Sequence, residues 1–241
     1  MKEIAILMAA GLGERMRPLT EHMPKPLVKV YGVPMIETVI EGLLARPVEE
    51  IYVVTGYLGE QFAYLSEKYS NVKLIENKDY LEKNNISSIY AAREVLGSAD
   101  CFICESDLYV ADPFIFQKKL QHSCYYGRMQ AGHSDDWVFD LKDQYIVRGG
   151  KGGNDTYNMV GVSYFKQADA LILKRVIEKA YTEEDAGNLF WDDVVNRNLD
   201  QLRLTVESVE EGQVIEIDTV KELKQVNESE YVIRRTGENG D

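Results

Sequence analysis

Apolar residues in this chain fall in short, nearly continuous runs, separated by stretches where they recur every three or four positions. Lys2–Ala10 is one such run and reads as a buried parallel strand. Pro34 opens PMIETVIEGLLA, where Met35, Val39 and Leu43 recur at helical spacing and the proline suits a first helical turn. Glu50–Thr55 predicts a second strand, Gly59–Tyr69 a helix, Asn71–Ile75 a third strand and Ile86–Leu96 a third helix. Asp100–Cys104 is again a buried strand, ending at Glu105-Ser106-Asp107. Strands alternating with helices predict βαβ crossovers. The expected fold is therefore α/β, a doubly wound, mainly parallel Rossmann-like sheet.

After about residue 115 the pattern changes. Cys124–Gly132, Trp137–Leu141, Tyr145–Val147 and Tyr157–Phe165 predict four strands with short connections, interrupted by the glycine-rich RGGKGGND at Arg148–Asp155. Helices follow at Gln167–Tyr181 and Gly187–Leu199, then strands at Leu202–Val209 and Gln213–Ile217. Asp218 precedes a last helix, whose Thr219-x-x-Glu222 spacing fits a capping box. The expectation is a single domain over 1–241, with a nucleotide-binding half at 1–115. An antiparallel acceptor-binding addition occupies 116–230, and a frayed tail 231–241.

Composition narrows the function. With 45% hydrophobic and 28% charged residues the chain reads as soluble and globular. No apolar run approaches the ~20 residues that span a bilayer, and the N-terminus has no signal-peptide pattern. A cytoplasmic protein without membrane association is expected. The net charge of −13 argues against a nucleic-acid partner. Residues 1–30 are nonetheless locally basic, with Lys2, Arg15, Arg17, Lys25 and Lys29 against three acids, which suits a small anionic ligand. Cys101, Cys104 and Cys124 are odd in number, and Cys101-x-x-Cys104 lies in apolar strand sequence without a second such pair, so buried thiols are expected.

The chemistry centres on MAAGLGERMRPLTEHMPKPLVKV, Met8–Val30. Gly11 and Gly13 follow a strand, but Met16 stands where a dinucleotide fingerprint needs its third glycine, and no P-loop lysine follows. What remains is G-x-G-x-R followed by Pro24-Lys25-Pro26. This combination resembles the signature of the nucleotidyltransferases that join a nucleoside triphosphate to a phosphorylated small molecule, the sugar-1-phosphate nucleotidyltransferases among them. The resemblance implies attack of an acceptor phosphate oxygen on the α-phosphorus, with pyrophosphate leaving. It assigns Met8, Ala9, Ala10, Gly11, Gly13, Arg15 and Lys25 to the nucleotide, with Asn85, Ser87 and Ser88 further along. Glycines let backbone N–H groups approach the triphosphate, and an arginine can clamp the departing phosphates. Lys25, Arg15 and Asp107 are the implied catalytic residues. Mg²⁺ is the implied cofactor, held by Asp107 and Asp218, although Asp218 also reads as a helix N-cap.

Within this family the segments Gly56-Tyr57-Leu58, Asn84–Tyr90, Phe190-Trp191-Asp192-Asp193 and Glu216-Ile217-Asp218 resemble the bacterial CTP:phosphocholine cytidylyltransferases. The implied partners are CTP and a small phosphorylated amino-alcohol acceptor. Phosphocholine carries a quaternary ammonium, commonly held by aromatic faces and a carboxylate. Trp137, preceded by two aspartates, and Trp191, followed by two, fit such a cage, and both also fit an apolar core. Asp192 and Lys151 complete the candidate acceptor residues. 2-Aminoethylphosphonate or phosphoethanolamine, with a primary ammonium, is the alternative acceptor.

Overall fold

The computed structural model describes residues 2–229. The predicted tail at 231–241 lies outside them. The elements in order are β1 (Glu3–Ala9), β2 (Lys29–Val30), β3 (Val33–Pro34), α1 (Met35–Leu44), β4 (Glu50–Thr55), α2 (Ala63–Lys68), β5 (Val72–Glu76), α3 (Ile86–Ala91) and β6 (Asp100–Glu105). There follow β7 (Leu108–Val110), β8 (Cys124–Lys142), β9 (Tyr145–Phe165), α4 (Gln167–Ala180), α5 (Trp191–Asn196), β10 (Thr205–Ser208), β11 (Val214–Glu216) and α6 (Val220–Glu228).

Seven strands form the main sheet in the order β10-β8-β9-β6-β1-β4-β5. β1 lies parallel to β4 and β6, and β4 parallel to β5, whereas β9 joins β6 antiparallel. Alternation along β1 shows why both faces are covered. Ala5, Leu7 and Ala9 pack with α1 residues Val39, Ile40 and Leu43, while Ile4 and Ile6 pack with Ile89 of α3 and Leu173 and Ile177 of α4. Each fully buried Ile or Leu here contributes roughly 1.5–3 kcal/mol. The doubly wound, mainly parallel sheet with an antiparallel addition is thus present.

The four strands predicted between 124 and 165 are two. β8 and β9 make one long hairpin that folds back on itself, so that Val138 pairs with both Gly150 and Asn158, and Phe139 with both Gly149 and Tyr157. The predicted strands are the straight arms of this ribbon. The glycine-rich segment is strand within β9 rather than a loop. Gly132 and Gly152, both at φ +76°, sit where the ladder register breaks, and let the ribbon turn over. Three helices are shorter than predicted, α2 among them because Gly59–Phe62 forms a 3₁₀ turn ahead of it. α3 ends at Ala91 and the chain passes through turns to Gly97 at φ +86°. α5 begins only at Trp191, because Asp193 accepts the Phe190 N–H and starts the helix there. The predicted capping box of α6 is present, with Glu222 N–H donating to Thr219 Oγ1 at 3.2 Å and Thr219 N–H to Glu222 Oε2 at 2.9 Å.

The ribbon turns at Asp143 and Gln144, whose φ values of +49° and +68° are left-handed. Aspartate tolerates that region but glutamine does not favour it, whereas Asn-Gly suits both positions. Replacing the pair by Asn-Gly is expected to raise stability by about 1 kcal/mol, seen as a higher urea midpoint. An unchanged midpoint would show the turn to be unstrained.

Candidate active site

The loop after β1 carries the glycines. Gly13 has φ +63°, and a Cβ there would come within 2.8 Å of Lys25 Cβ, so both conformation and packing require glycine. A Cβ at Gly11 would meet nothing within 4 Å, which leaves its backbone open to the cleft. Thr20 Oγ1 donates to Gly13 O at 2.8 Å and ties the loop to the basic segment. Ser106 Oγ donates to Met8 O at 2.5 Å, fixing the end of β1 against the end of β6.

Lys25 lies in a single 3₁₀ turn, Lys25–Leu27, and is 7% exposed. Its Nζ contacts Asp107 Oδ2 and Asp218 Oδ1, each at 2.6 Å. Asp107 follows β6 and Asp218 follows β11. The antiparallel pairing of β11 with β7, with Glu216 opposite Leu108, brings these distant residues together. Arg15, largely exposed, reaches Asp218 Oδ2 at 2.7 Å. Burial works against the Lys25 charge, but Asp107 and Asp218 outweigh it and hold the ammonium above its ordinary pKa. Burial likewise opposes the Asp218 charge, and Lys25 and Arg15 prevail, keeping that carboxyl below its ordinary value. The cap of α6 belongs to Thr219, so the Asp218 side chain is free for Lys25.

Two further acids join this group. Glu105, at the end of β6, is pushed well above the carboxylate range by burial and by Asp107, Glu216 and Asp192. Gly161, at φ +72°, makes room for it, since a Cβ there would lie 2.7 Å from Glu105 Oε2. Glu216 opens on the cleft yet is crowded, and burial with Asp218 and Asp107 pushes it up to about 7. Sequence reasoning did not place Glu105 and Glu216 in the site. The available signal was the repeated acid-x-acid spacing, Glu105-Ser106-Asp107 and Glu216-Ile217-Asp218, since residues two apart on extended chain share a face. Among the described residues no group of three or more His, Cys, Asp or Glu side chains is arranged to hold a metal ion by itself.

A cleft of about 670 Å³ is lined by Met8–Arg15, Lys25, Asp107 and Asp218 together with Asn85, Ser87 and Ser88, so the proposed nucleotide residues converge. Several of these polar groups are already engaged. Asn85 Oδ1 accepts the Trp191 N–H at 2.9 Å, and Asn77, missed in the sequence, donates to Ser87 and Ser88. A second lobe of about 410 Å³ meets the first at Arg15, Glu105, Glu216 and Asp218. Trp137, Lys151 and Asp192 line it, with Asp135, Asp136, Arg128 and Asn158. Asp192 is buried at 8% exposure, and Tyr125 donates to it at 2.9 Å. Burial pushes its pKa to about 7.

Trp191 does not line either lobe. It is 3% exposed in the apolar core, stacked at 5.8 Å on Tyr125 and edge-on to Phe165 at 6.1 Å. A cage walled by both tryptophans is therefore not formed. Instead Trp137 packs edge-to-face at 6.2 Å with Phe190, which also lines the lobe. The three cysteines are buried and free, as expected of strand thiols. Among the described residues no helix is long and apolar enough to cross a membrane.

Comparison with known proteins agrees with this geometry. The family model for nucleotidyl transferases matches residues 4–128. A 2-aminoethylphosphonate cytidylyltransferase of Lancefieldella rimae is 57% identical over 92% of this chain and 91% of its own. A choline-phosphate cytidylyltransferase of Streptococcus pneumoniae is 36% identical over 93% and 96%. The solved CTP:phosphocholine cytidylyltransferase from Streptococcus pneumoniae superposes with a TM-score of 0.86 at 33% identity, covering 95% of this chain and 99% of that one. A basic turn locked between the acids of two distant strand ends, beside a glycine loop, thus sits on a shared fold, and the chain belongs to the nucleotidyl transferase family, among its cytidylyltransferases.

Proposed function

We propose that the protein transfers CMP from CTP to 2-aminoethylphosphonate, releasing pyrophosphate. The observation that carries this is the lining of the second lobe. Asp135, Asp136 and Asp192 face Arg128 and Lys151 there, a distribution that suits a zwitterion with a hydrogen-bonding ammonium at one end and a phosphorus acid at the other. The 57% identity to a 2-aminoethylphosphonate enzyme supports the same choice over phosphocholine, which the sequence pattern first suggested. Phosphocholine remains the second acceptor, favoured by the Trp137–Phe190 pair.

In this reaction a phosphonate oxygen attacks the α-phosphorus of CTP, the bond to the β-phosphate breaks, and pyrophosphate departs. Both partners are anions, so cations must hold them in line. Lys25, with its ammonium kept charged by Asp107 and Asp218, neutralises the α-phosphate as the new bond forms. Arg15, exposed at the rim of the cleft, holds the β and γ phosphates. Lys151 and Arg128 take the acceptor's phosphonate, and the aspartates its ammonium.

The residues fit a role for Mg²⁺. Asp107 and Asp218 converge on one cation, and the raised pKa values of Glu105 and Glu216 mark a site with more carboxylate than Lys25 alone balances. Mg²⁺ characteristically takes one or two carboxylates and completes its shell with phosphates and water, which a site without three converging acids would allow. Asp107 and Asp218 would hold it, and when bound it supplies charge neutralisation for the triphosphate.

Three measurements test this account. Pyrophosphate release with CTP is expected to show kcat/KM at least about tenfold higher for 2-aminoethylphosphonate than for phosphocholine; the reverse order would establish the second acceptor. Lys25→Ala and Asp107→Ala are each expected to keep the fold by circular dichroism and lower kcat by about 100-fold or more; near-normal turnover would remove that residue from the mechanism. Asp192 has a folded pKa raised above its unfolded value, so its stability contribution is complete below the ordinary aspartate pKa and is lost as pH rises through about 7. Asp192→Asn is therefore expected to gain Tm relative to wild type between pH 5 and pH 8. The acceptor KM of wild type should fall over the same interval as the carboxylate forms. A pH-independent Tm difference would show that Asp192 is already ionised at pH 5.

A further inference from the structure

Asn158 lies at the centre of the folded ribbon, paired on one side with Arg128 and on the other with Val138. Held from both sides, its backbone presents the side chain from a fixed place. The residue is 6% exposed and lines the second lobe. Its Nδ2 donates to Asp136 Oδ2 at 3.2 Å. Its Oδ1 is buried, and among the described residues no donor reaches it. Turning the amide over would set Oδ1 against the Asp136 carboxylate, so Asp136 determines which atom is left over. A buried amide oxygen without a donor is unfavourable in a folded chain, and such an atom in a ligand cleft marks where a donor from the ligand belongs.

Resting on the proposed function above, we infer that Asn158 determines acceptor specificity, with its Oδ1 accepting an N–H of the acceptor's primary ammonium while Asp136 supplies the opposing charge. A primary ammonium has three N–H donors and a quaternary one has none. A trimethylated nitrogen would leave Oδ1 unpaired and place methyl groups against it, so the amide discriminates by penalising the wrong ligand. Arg128, directly opposite Asn158 across the ladder, lines the same lobe and gives the anionic end of the zwitterion a partner. Oδ1 is itself covered, so the ammonium reaches it with a small shift of the segment that carries Asp136, whose carboxylate stays beside it. That segment has register breaks between Gln130 and His133 and between Ser134 and Trp137, where ladder bonds are fewest.

The test is steady-state kinetics of wild type, Asn158→Leu and Asn158→Asp, using 2-aminoethylphosphonate and its mono-, di- and trimethylated forms with CTP. Wild-type kcat/KM is expected to fall as methyl groups replace N–H donors. Asn158→Leu should lose roughly 10–100-fold in kcat/KM for the primary amine, mainly through KM, with little change for the trimethylated form and an unchanged KM for CTP. Asn158→Asp keeps an acceptor oxygen but loses the donor to Asp136, so it should lower kcat/KM across the series while preserving the preference for the primary amine. Should Asn158→Leu fail to fold, Asn158→Ser carries the same comparison with a hydroxyl too short to reach. An equal drop for every member of the series in Asn158→Leu or Asn158→Ser would overturn the inference and leave the proposed function standing. A wild-type preference for the trimethylated acceptor would overturn both.

Discussion

The structure depends on a lysine ammonium enclosed between two carboxylates. Lys25 has little solvent to stabilise its charge, and its partners Asp107 and Asp218 stand 82 and 193 residues away in the chain. Because each charge here has a second partner, Asp218 for Lys25 and Arg15 for Asp218, loss of one member costs stability without leaving a buried charge wholly unpaired. The short β7–β11 pairing, the Thr219 cap of α6 and the packing of Gly13 against Lys25 all serve to keep these three side chains in register. In the proposed reaction these two carboxylates keep the ammonium charged for the α-phosphate.

Much of the first half is legible in the sequence because its signals are local. Continuous apolar runs give β1, β4 and β6, and the Pro-Lys-Pro turn with the preceding glycines and arginine points to Lys25 and Arg15. The second half is less legible because its geometry is non-local. Glycines in the segment around Lys151 look like a loop, yet the folded ribbon pairs Gly149, Gly150 and Gly153 of β9 with Phe139, Val138 and Ser134. Trp191 and Trp137 carry the same acidic neighbours in sequence, but the start of α5 at Trp191 turns one indole into the core while the ribbon leaves the other at the lobe. Asp218 reads as a metal ligand with a helix cap as the other reading, and in the structure the cap falls to Thr219 while Asp218 pairs with Lys25. Glu105 and Asn158 carry no local signal strong enough to separate them from ordinary strand residues, since what singles them out is burial without charge or hydrogen-bond balance.

The two lobes divide the chemistry by charge. Around the glycine loop, backbone groups and Lys25 and Arg15 would meet the triphosphate in the proposed reaction, as suits a site that neutralises developing charge. In the second lobe acids outnumber aromatics, and the buried Asp192 and the unpaired Asn158 oxygen both call for a donor. A net charge of −13 on the chain sharpens this contrast, because the anionic substrate must be drawn to a locally basic loop on an acidic protein.

The most direct test of this account is a competition followed by ³¹P NMR, with limiting CTP and equal concentrations of 2-aminoethylphosphonate and phosphocholine. The phosphonate resonance of the primary amine is expected to convert to its cytidylyl product first, with matching release of pyrophosphate. Conversion of the phosphocholine resonance ahead of it would contradict the assignment of the second lobe to a primary ammonium.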